Sequence, residues 1–262
     1  MFLQLTKKYQ NIINKISPFL ALKILIMIWY AVCKFEVVPS YMLPSPQSVA
    51  QEFITDFPTL IEHSKVTLSE AMLGLGIGIM LAFIMASLMN RFSLLCNAFY
   101  PLLVISQTIP TIAIAPILIL WMGFDMAPKI ALVVLTTFFP ITVGLLDGYK
   151  SADSDAVSLL KSMGAGNLKI FRYIYLPSSL SHFFAGIKIS ASYSVVGAVI
   201  AEWLGGFEGL GVYMTRVRKA YQFDKMFAVI ILIIIISLFL MLAVTLIRKA
   251  VMPWERKGVK NK

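Results

Sequence analysis

Residues 92–124 contain no charged side chain, and five further runs of near-bilayer length are almost as bare. About 20 apolar residues coiled as a helix cross a hydrocarbon layer of ~30 Å, and in lipid such a segment must satisfy its own backbone hydrogen bonds. Six transmembrane helices are therefore expected, at about residues 20–38, 71–89, 98–122, 130–146, 183–204 and 226–247. A chain of 262 residues that is 59% hydrophobic and 14% charged is too apolar for a soluble domain, so the predicted fold class is an all-α integral membrane protein. Residues 1–19 read as an amphipathic cytoplasmic segment that is retained, because no small-residue cleavage site follows the first apolar run. Residues 20–250 read as the six-helix domain and residues 251–262 as a basic cytoplasmic tail.

Charge sets the orientation. With the N-terminus inside, fifteen of the 23 Lys and Arg residues fall in cytoplasmic segments, seven fall outside, and Lys188 falls within the fifth span. That bias puts both termini in the cytoplasm. The net charge of +10 then records orientation and lipid contact, and nucleic acid is not an expected partner. Cys33 and Cys96 fall near opposite faces, so no disulfide is expected. His63 and His182 stand alone, and the chain offers no metal-ligand spacing, no nucleophile with its base and no paired catalytic carboxylates. Neither a cofactor nor a metal is expected. No lysine-bearing phosphate loop occurs, so any ATP is hydrolysed by another polypeptide.

One long polar interval, residues 150–182, separates the fourth and fifth spans. Asp153 or Ser154 can cap a short helix with Val157, Leu160 and Met163 on one face, and Gly164 can end it in a left-handed conformation. Asn167 can start a second helix with Ile170, Phe171 and Ile174 on a face, and Pro177 is expected to stop it. An apolar ridge flanked by Lys161, Lys169 and Arg172 either lies on lipid or enters a groove on a partner.

The third span is interrupted by Pro101, Pro110 and Pro116, with Ser106, Gln107, Thr108 and Thr111 at membrane depth. It is either a kinked structural helix or the lining of a pathway. Glu202 near the end of the fifth span, and Lys188 with Tyr193 within it, are the other polar groups to explain. Gly74 with Gly78, and Gly144 with Gly148, form small-xxx-small pairs that read as close helix packing. Outside, Ser45 can cap a surface helix that begins at Pro46.

Several of these motifs together resemble one family. Gly164-Ala165 upstream of Leu176-Pro177, Leu43-Pro44-Ser45-Pro46, Ser106-Gln107-Thr108-Ile109-Pro110, Leu146-Asp147-Gly148, Glu202-Trp203-Leu204-Gly205 and Gly209-Leu210-Gly211 resemble ABC importer permeases of the nitrate, sulfonate, taurine and pyrimidine-precursor group over residues 40–250. The details are most like permeases for hydroxymethylpyrimidine, a thiamine precursor. Ser158-Leu159-Leu160 replaces the acidic-alanine-alanine triplet that usually opens the loop motif, and Ser181 stands where a second proline is usual.

The resemblance implies a type I importer permease fold whose 150–182 loop is a coupling segment. Val157, Leu160, Lys161, Met163, Gly164 and Ala165 would then dock an ATPase, and Gln107, Thr108, Pro110, Thr111, Lys188, Tyr193 and Glu202 would belong to the pathway. The implied partners are two ATPase copies, a second copy of this chain, an extracytoplasmic substrate-binding protein and membrane lipid. A nitrate, taurine or alkanesulfonate permease is the alternative, and an ion-coupled secondary transporter is a more distant rival.

Overall fold

The computed structural model describes residues 2–254, with side chains from residue 16 onward, and the tail beyond 254 lies outside the described residues. Among the described residues the chain forms α-helices and one π-helical turn, with no strand. In order these are α1 (Phe2–Lys34), α2 (Pro46–Thr55), α3 (Phe57–Arg91), α4 (Ser93–Ser106), α5 (Thr111–Met122), α6 (Met126–Lys150), α7 (Ser154–Ser162), α8 (Asn167–Ile170), the π turn (Phe171–Tyr175), α9 (Leu176–Gly205), α10 (Leu210–Lys219) and α11 (Phe223–Val251). Five helical segments, in α1, α3, α6, α8–α9 and α11, are long and apolar enough to cross a membrane, and the bent pair α4–α5 makes a sixth if it counts as one span.

Contacts divide the chain into two compact units. The smaller comprises the chain up to Leu60 together with Met214–Ile231. Within it, the Trp29 indole donates to the Pro44 carbonyl at 3.0 Å, and its ring stacks on Phe227 at 5.9 Å. Ser45 caps α2 through the Ser48 N–H at 3.1 Å, with Pro46 at the first position of the helix. The lipid-length part of α1 buries none of its side chains within the chain, leaving Phe19, Leu22, Leu25 and Met27 exposed. Such a surface requires lipid or another apolar partner.

The larger unit comprises Ile61–Tyr213 and the chain from Leu232 onward. Its centre is the α6–α9 pair, which packs along most of its length. Lipid tails are as apolar as the side chains, so helices in a bilayer are held by close approach and polar contacts. Glycine permits that approach at several places, among them Gly148, Gly186 and Gly74. A β-carbon on Gly148 would lie 2.6 Å from Ser179 Cα, one on Gly186 would lie 2.8 Å from the Pro140 carbonyl oxygen, and one on Gly74 would lie 2.5 Å from Val133 Cβ. The first two seat α6 against α9, and the third seats α3 against α6. Ser190 on α9 donates to the Thr137 carbonyl on α6 at 2.9 Å, one turn before Pro140 inside the same helix. At the other end of α6 the Ser87 and Tyr149 hydroxyls pair at 3.2 Å.

Two expectations are corrected here. Pro177 does not stop the helix: the chain stays helical from Asn167 to Gly205. The π turn just before α9 widens the coil and gives the Pro177 ring room where a regular turn would bring it against the carbonyl four residues back. The third span is also more than kinked. α4 and α5 meet at 101° across residues 107–110, so the pair is a broken span or a re-entrant loop.

Replacing Gly148 with Val should force α6 and α9 apart at Ser179. The expected loss is ~1–3 kcal/mol, as for an overpacked core, and a lower midpoint for thermal unfolding of the detergent-solubilised protein would register it.

Candidate translocation pathway and coupling segment

The break in the third span follows from local chemistry. Pro110 is the N-cap of α5 and lacks an N–H, and it pushes Ile109 before it out of the helical region. Ser106 and Thr108 turn their hydroxyls back to the carbonyls of Leu103 and Ile105, at 2.8 and 2.7 Å, so their polar groups are satisfied without a partner helix. Beside the break, α4, α5, α6 and α9 enclose a cavity of about 730 Å³. Its polar lining is Ser106, Gln107, Thr111, Thr136 and Tyr193, with Phe138 and Phe139 among the apolar walls, and no charged residue lines it.

Of the pathway candidates, Gln107, Thr111 and Tyr193 meet at this cavity. Thr108 and Pro110 shape the bend beside it. Lys188 does not line it and is exposed on α9.

Glu202 does not line this cavity either; it is buried and caps α10. The backbone N–H groups at the start of α10 have no intrahelical acceptor, and three side chains from α3 and α9 take them. Gly211 donates to Glu202 Oε2 at 2.6 Å, Leu210 donates to Thr67 Oγ1 at 2.8 Å, and Gly209 donates to His63 Nδ1 at 3.2 Å. Gly209 holds φ +119°, and a β-carbon there would run into the Glu202 carboxylate. The His63 ring stacks on Tyr213 at 5.0 Å.

Glu202 neighbours Glu70, whose Oε1 accepts from Lys129 Nζ at 2.8 Å. This ion pair, only 1% and 7% exposed, joins α3 to α6. Sequence reading missed it: Lys129 counted as an outer-loop cation, and Glu70 lies 59 positions away with no local signal linking the two.

The 150–182 segment, the expected coupling segment, forms largely as its residues dictate. Asp153 caps α7 through the N–H groups of Asp155 and Ala156 at 2.9 and 3.4 Å. Gly164 ends α7 with φ +77°, the left-handed conformation that only glycine adopts freely. The Gly164 and Ala165 N–H groups return to the Lys161 and Leu160 carbonyls, both at 2.9 Å, which closes the helix end. The ridge differs from the expected one. Val157 is buried and Leu160 half-buried, packed within the unit, whereas Leu159 and Met163 are 62% and 73% exposed.

An all-helical membrane chain with a broken span beside an uncharged cavity and a protruding helical hairpin has the architecture of a transport permease. Residues 75–256 match the family profile described as binding-protein-dependent transport system inner membrane component, and the chain belongs to that family. It is a membrane transport subunit, not an enzyme, and its family works with an ATPase and a substrate-binding protein.

A probable ABC transporter permease protein of Haemophilus influenzae is 38% identical over 86% of this chain and 92% of its own length. The formylaminopyrimidine transport permease protein ThiX of Halalkalibacterium halodurans is 35% identical over 92% and 97%. The taurine transport system permease protein TauC of Escherichia coli is 24% identical over 89% and 88%. A crystal structure of an amino acid ABC transporter superposes with a TM-score of 0.63 at 12% identity, covering 76% of this chain and 97% of that one, and so shares the type I permease fold.

Lys129→Met should leave the Glu70 carboxylate buried without its cation, at a cost of ~3–5 kcal/mol, while the double variant Glu70→Leu, Lys129→Met should recover most of the loss. Denaturation of the two variants in the same detergent checks both statements.

Proposed function

We propose that this chain is the permease of an importer for a thiamine pyrimidine precursor of the hydroxymethylpyrimidine type. The observation that carries this reading is the uncharged cavity at the broken span, where Gln107, Thr111, Thr136 and Tyr193 offer neutral donors and acceptors among aromatic walls. A neutral planar heteroaromatic solute exchanges its water hydrogen bonds for these and stacks on the rings. The relative named for formylaminopyrimidine transport supports the same cargo. The sulfonate and taurine alternative has relatives too, at lower identity, but would send an anion past a lining without a cation.

In the working complex two copies of this chain, both termini cytoplasmic, pair with two ATPases, and an external binding protein delivers the cargo. Leu159, Met163, Gly164 and Ala165 form the docking surface. ATP-driven closure of the ATPases displaces α7. Because the helix runs unbroken from Asn167 to Gly205, that displacement travels along α9 to Tyr193 and on to Glu202. The pathway then opens outward, as alternating access requires.

Three outcomes are expected. Single cysteines at Gln107 and Thr111, in a background without Cys33 and Cys96, should react with a small water-soluble thiol reagent at a rate that changes when ATP is trapped. A cysteine at Leu120, 82% exposed and away from the cavity, should stay inert. Equal behaviour of all three rejects the pathway.

At Gly164, Val cannot hold φ +77° without strain of about 1 kcal/mol or more, so Gly164→Val should insert normally yet lose ATPase co-purification.

A thiamine-requiring strain that can phosphorylate hydroxymethylpyrimidine should need this gene at low external precursor. Loss of growth on taurine or an alkanesulfonate as sulfur source, with precursor uptake intact, would transfer the cargo assignment to the sulfonate group.

A further inference from the structure

At the Arg91 end of α3 a second hollow of about 520 Å³ opens between that helix and the α7–α8 segment. Asn90, Arg91, Lys161 and Asn167 supply its polar wall, Leu168 and Phe171 supply apolar surface, and no carboxylate lines it. The described residues pair neither Arg91 nor Lys161 with a carboxylate; the Arg91 guanidinium lies over the Phe92 ring at 5.5 Å from its centre. Two cations held at one groove without a counter-ion repel each other, and a bound anion relieves that cost.

The placement selects the kind of anion. Arg91 is the last residue of α3 and directly follows the uncharged run that ends at Met89 and Asn90, so the groove lies at the end of the lipid-length stretch of that helix, where headgroups begin. Leu168, 80% exposed, stands at the groove beside the cations. A free ion has no use for that apolar flank, whereas an amphiphile does. Arginine presents a planar fork of donors that fits two phosphate oxygens, lysine adds a point charge, and the Asn90 and Asn167 amides can donate to the remaining oxygens. Basic pockets at the ends of membrane helices bind anionic headgroups by this combination.

We propose that this groove binds the phosphodiester headgroup of an anionic phospholipid, with Arg91 and Lys161 as its charged ligands and Leu168 against the glycerol and upper acyl region. The site is separate from the cargo cavity and needs no assumption about the cargo. It places a lipid against the base of the coupling segment, so membrane composition acts on α7 directly.

The test uses the full chain purified from membranes, with bound lipid counted by native mass spectrometry after exchange against phosphatidylglycerol or phosphatidylcholine. The wild type should retain phosphatidylglycerol in preference to phosphatidylcholine. Arg91→Gln should weaken that retention about fivefold, the ratio equivalent to ~1 kcal/mol for one cation at a charged surface, and Arg91→Lys should keep most of it. If Arg91→Gln does not insert, Asn167→Asp carries the same test. It adds a negative charge to the groove at a helix start that tolerates one, and should lower retention similarly.

Equal retention of the two lipids, or unchanged retention in the variants, overturns the proposal. Displacement of phosphatidylglycerol by inorganic phosphate as effective as removing Arg91 would assign the site to a free anion instead. Unchanged lipid with loss of ATPase co-purification in Arg91→Gln would assign it to an acidic segment of the partner.

Discussion

The contact between Lys129 and Glu70 is the fixed point of the larger unit, because it is the ion pair that joins two membrane helices where both groups are nearly inaccessible. Replacing both members of such a buried pair with apolar side chains costs little, whereas removing one alone strands a buried charge. At the edge of a bilayer neither charge has an alternative partner, so the register of α3 against α6 is set by their meeting. α3 is ~52 Å long at 1.5 Å per residue, well beyond a ~30 Å hydrocarbon layer. Its Glu70 therefore sits near the boundary, one bilayer length from Arg91. The neighbouring Glu202 extends the arrangement to α9 and to the first turn of α10, so one cluster aligns four helices at one end of the unit.

At the other end the contacts are apolar and aromatic. Tyr149 meets Ser87 through its hydroxyl and Phe171 through its ring at 5.6 Å, joining α3, α6 and the π turn that leads into α9. Between the two ends, glycines let α6 and α9 approach to backbone contact. The uncharged cavity lies where this tight pair faces the bent α4–α5 pair. The continuous α9 gives the cavity one unbroken wall, and the α4–α5 pair gives it an interrupted one, where Thr108 and Ile109 bond three residues back in place of regular helical bonds.

What the sequence made legible is what short-range chemistry decides. Uncharged runs located the spans, Asp153 and Gly164 bounded α7, and glycine pairs marked α3 and α6 as close-packed, each because the deciding residues lie within a few positions of one another. Two misreadings came from the opposite situation. Pro177 reads as a stop in any local window, but a π turn upstream absorbs it. Val157 and Leu160 read as the outward ridge of α7 because periodicity gives a face without saying which way it points; the packing of the unit turned Leu159 and Met163 outward. The Glu70–Lys129 pair and the capping of α10 by His63, Thr67 and Glu202 join residues brought together only by the finished fold. The single forewarning was that a glutamate followed by Gly-Leu-Gly is an odd way to end an apolar helix.

Charge is distributed so that cargo chemistry can be argued from what a second copy of the chain would add. If two identical chains enclose the pathway, symmetry gives both halves the same lining, and a cavity without a cation in one copy gains none from the other. An anion such as a sulfonate would then leave water for a route offering only side-chain dipoles, and uncompensated transfer of a charge into a low-dielectric region is the most costly kind. A neutral heteroaromatic ring loses a few hydrogen bonds on entering, and Gln107, Thr111, Thr136 and Tyr193 can replace them. Of the cations of the larger unit, Lys129 is consumed by Glu70, Arg91 and Lys161 stand at the groove beside α7 and α8, and Lys188, exposed on α9, does not line the cavity. The lining is thus electrically neutral although a cation lies within the same helix as Tyr193, an arrangement that suits an uncharged solute better than an anion.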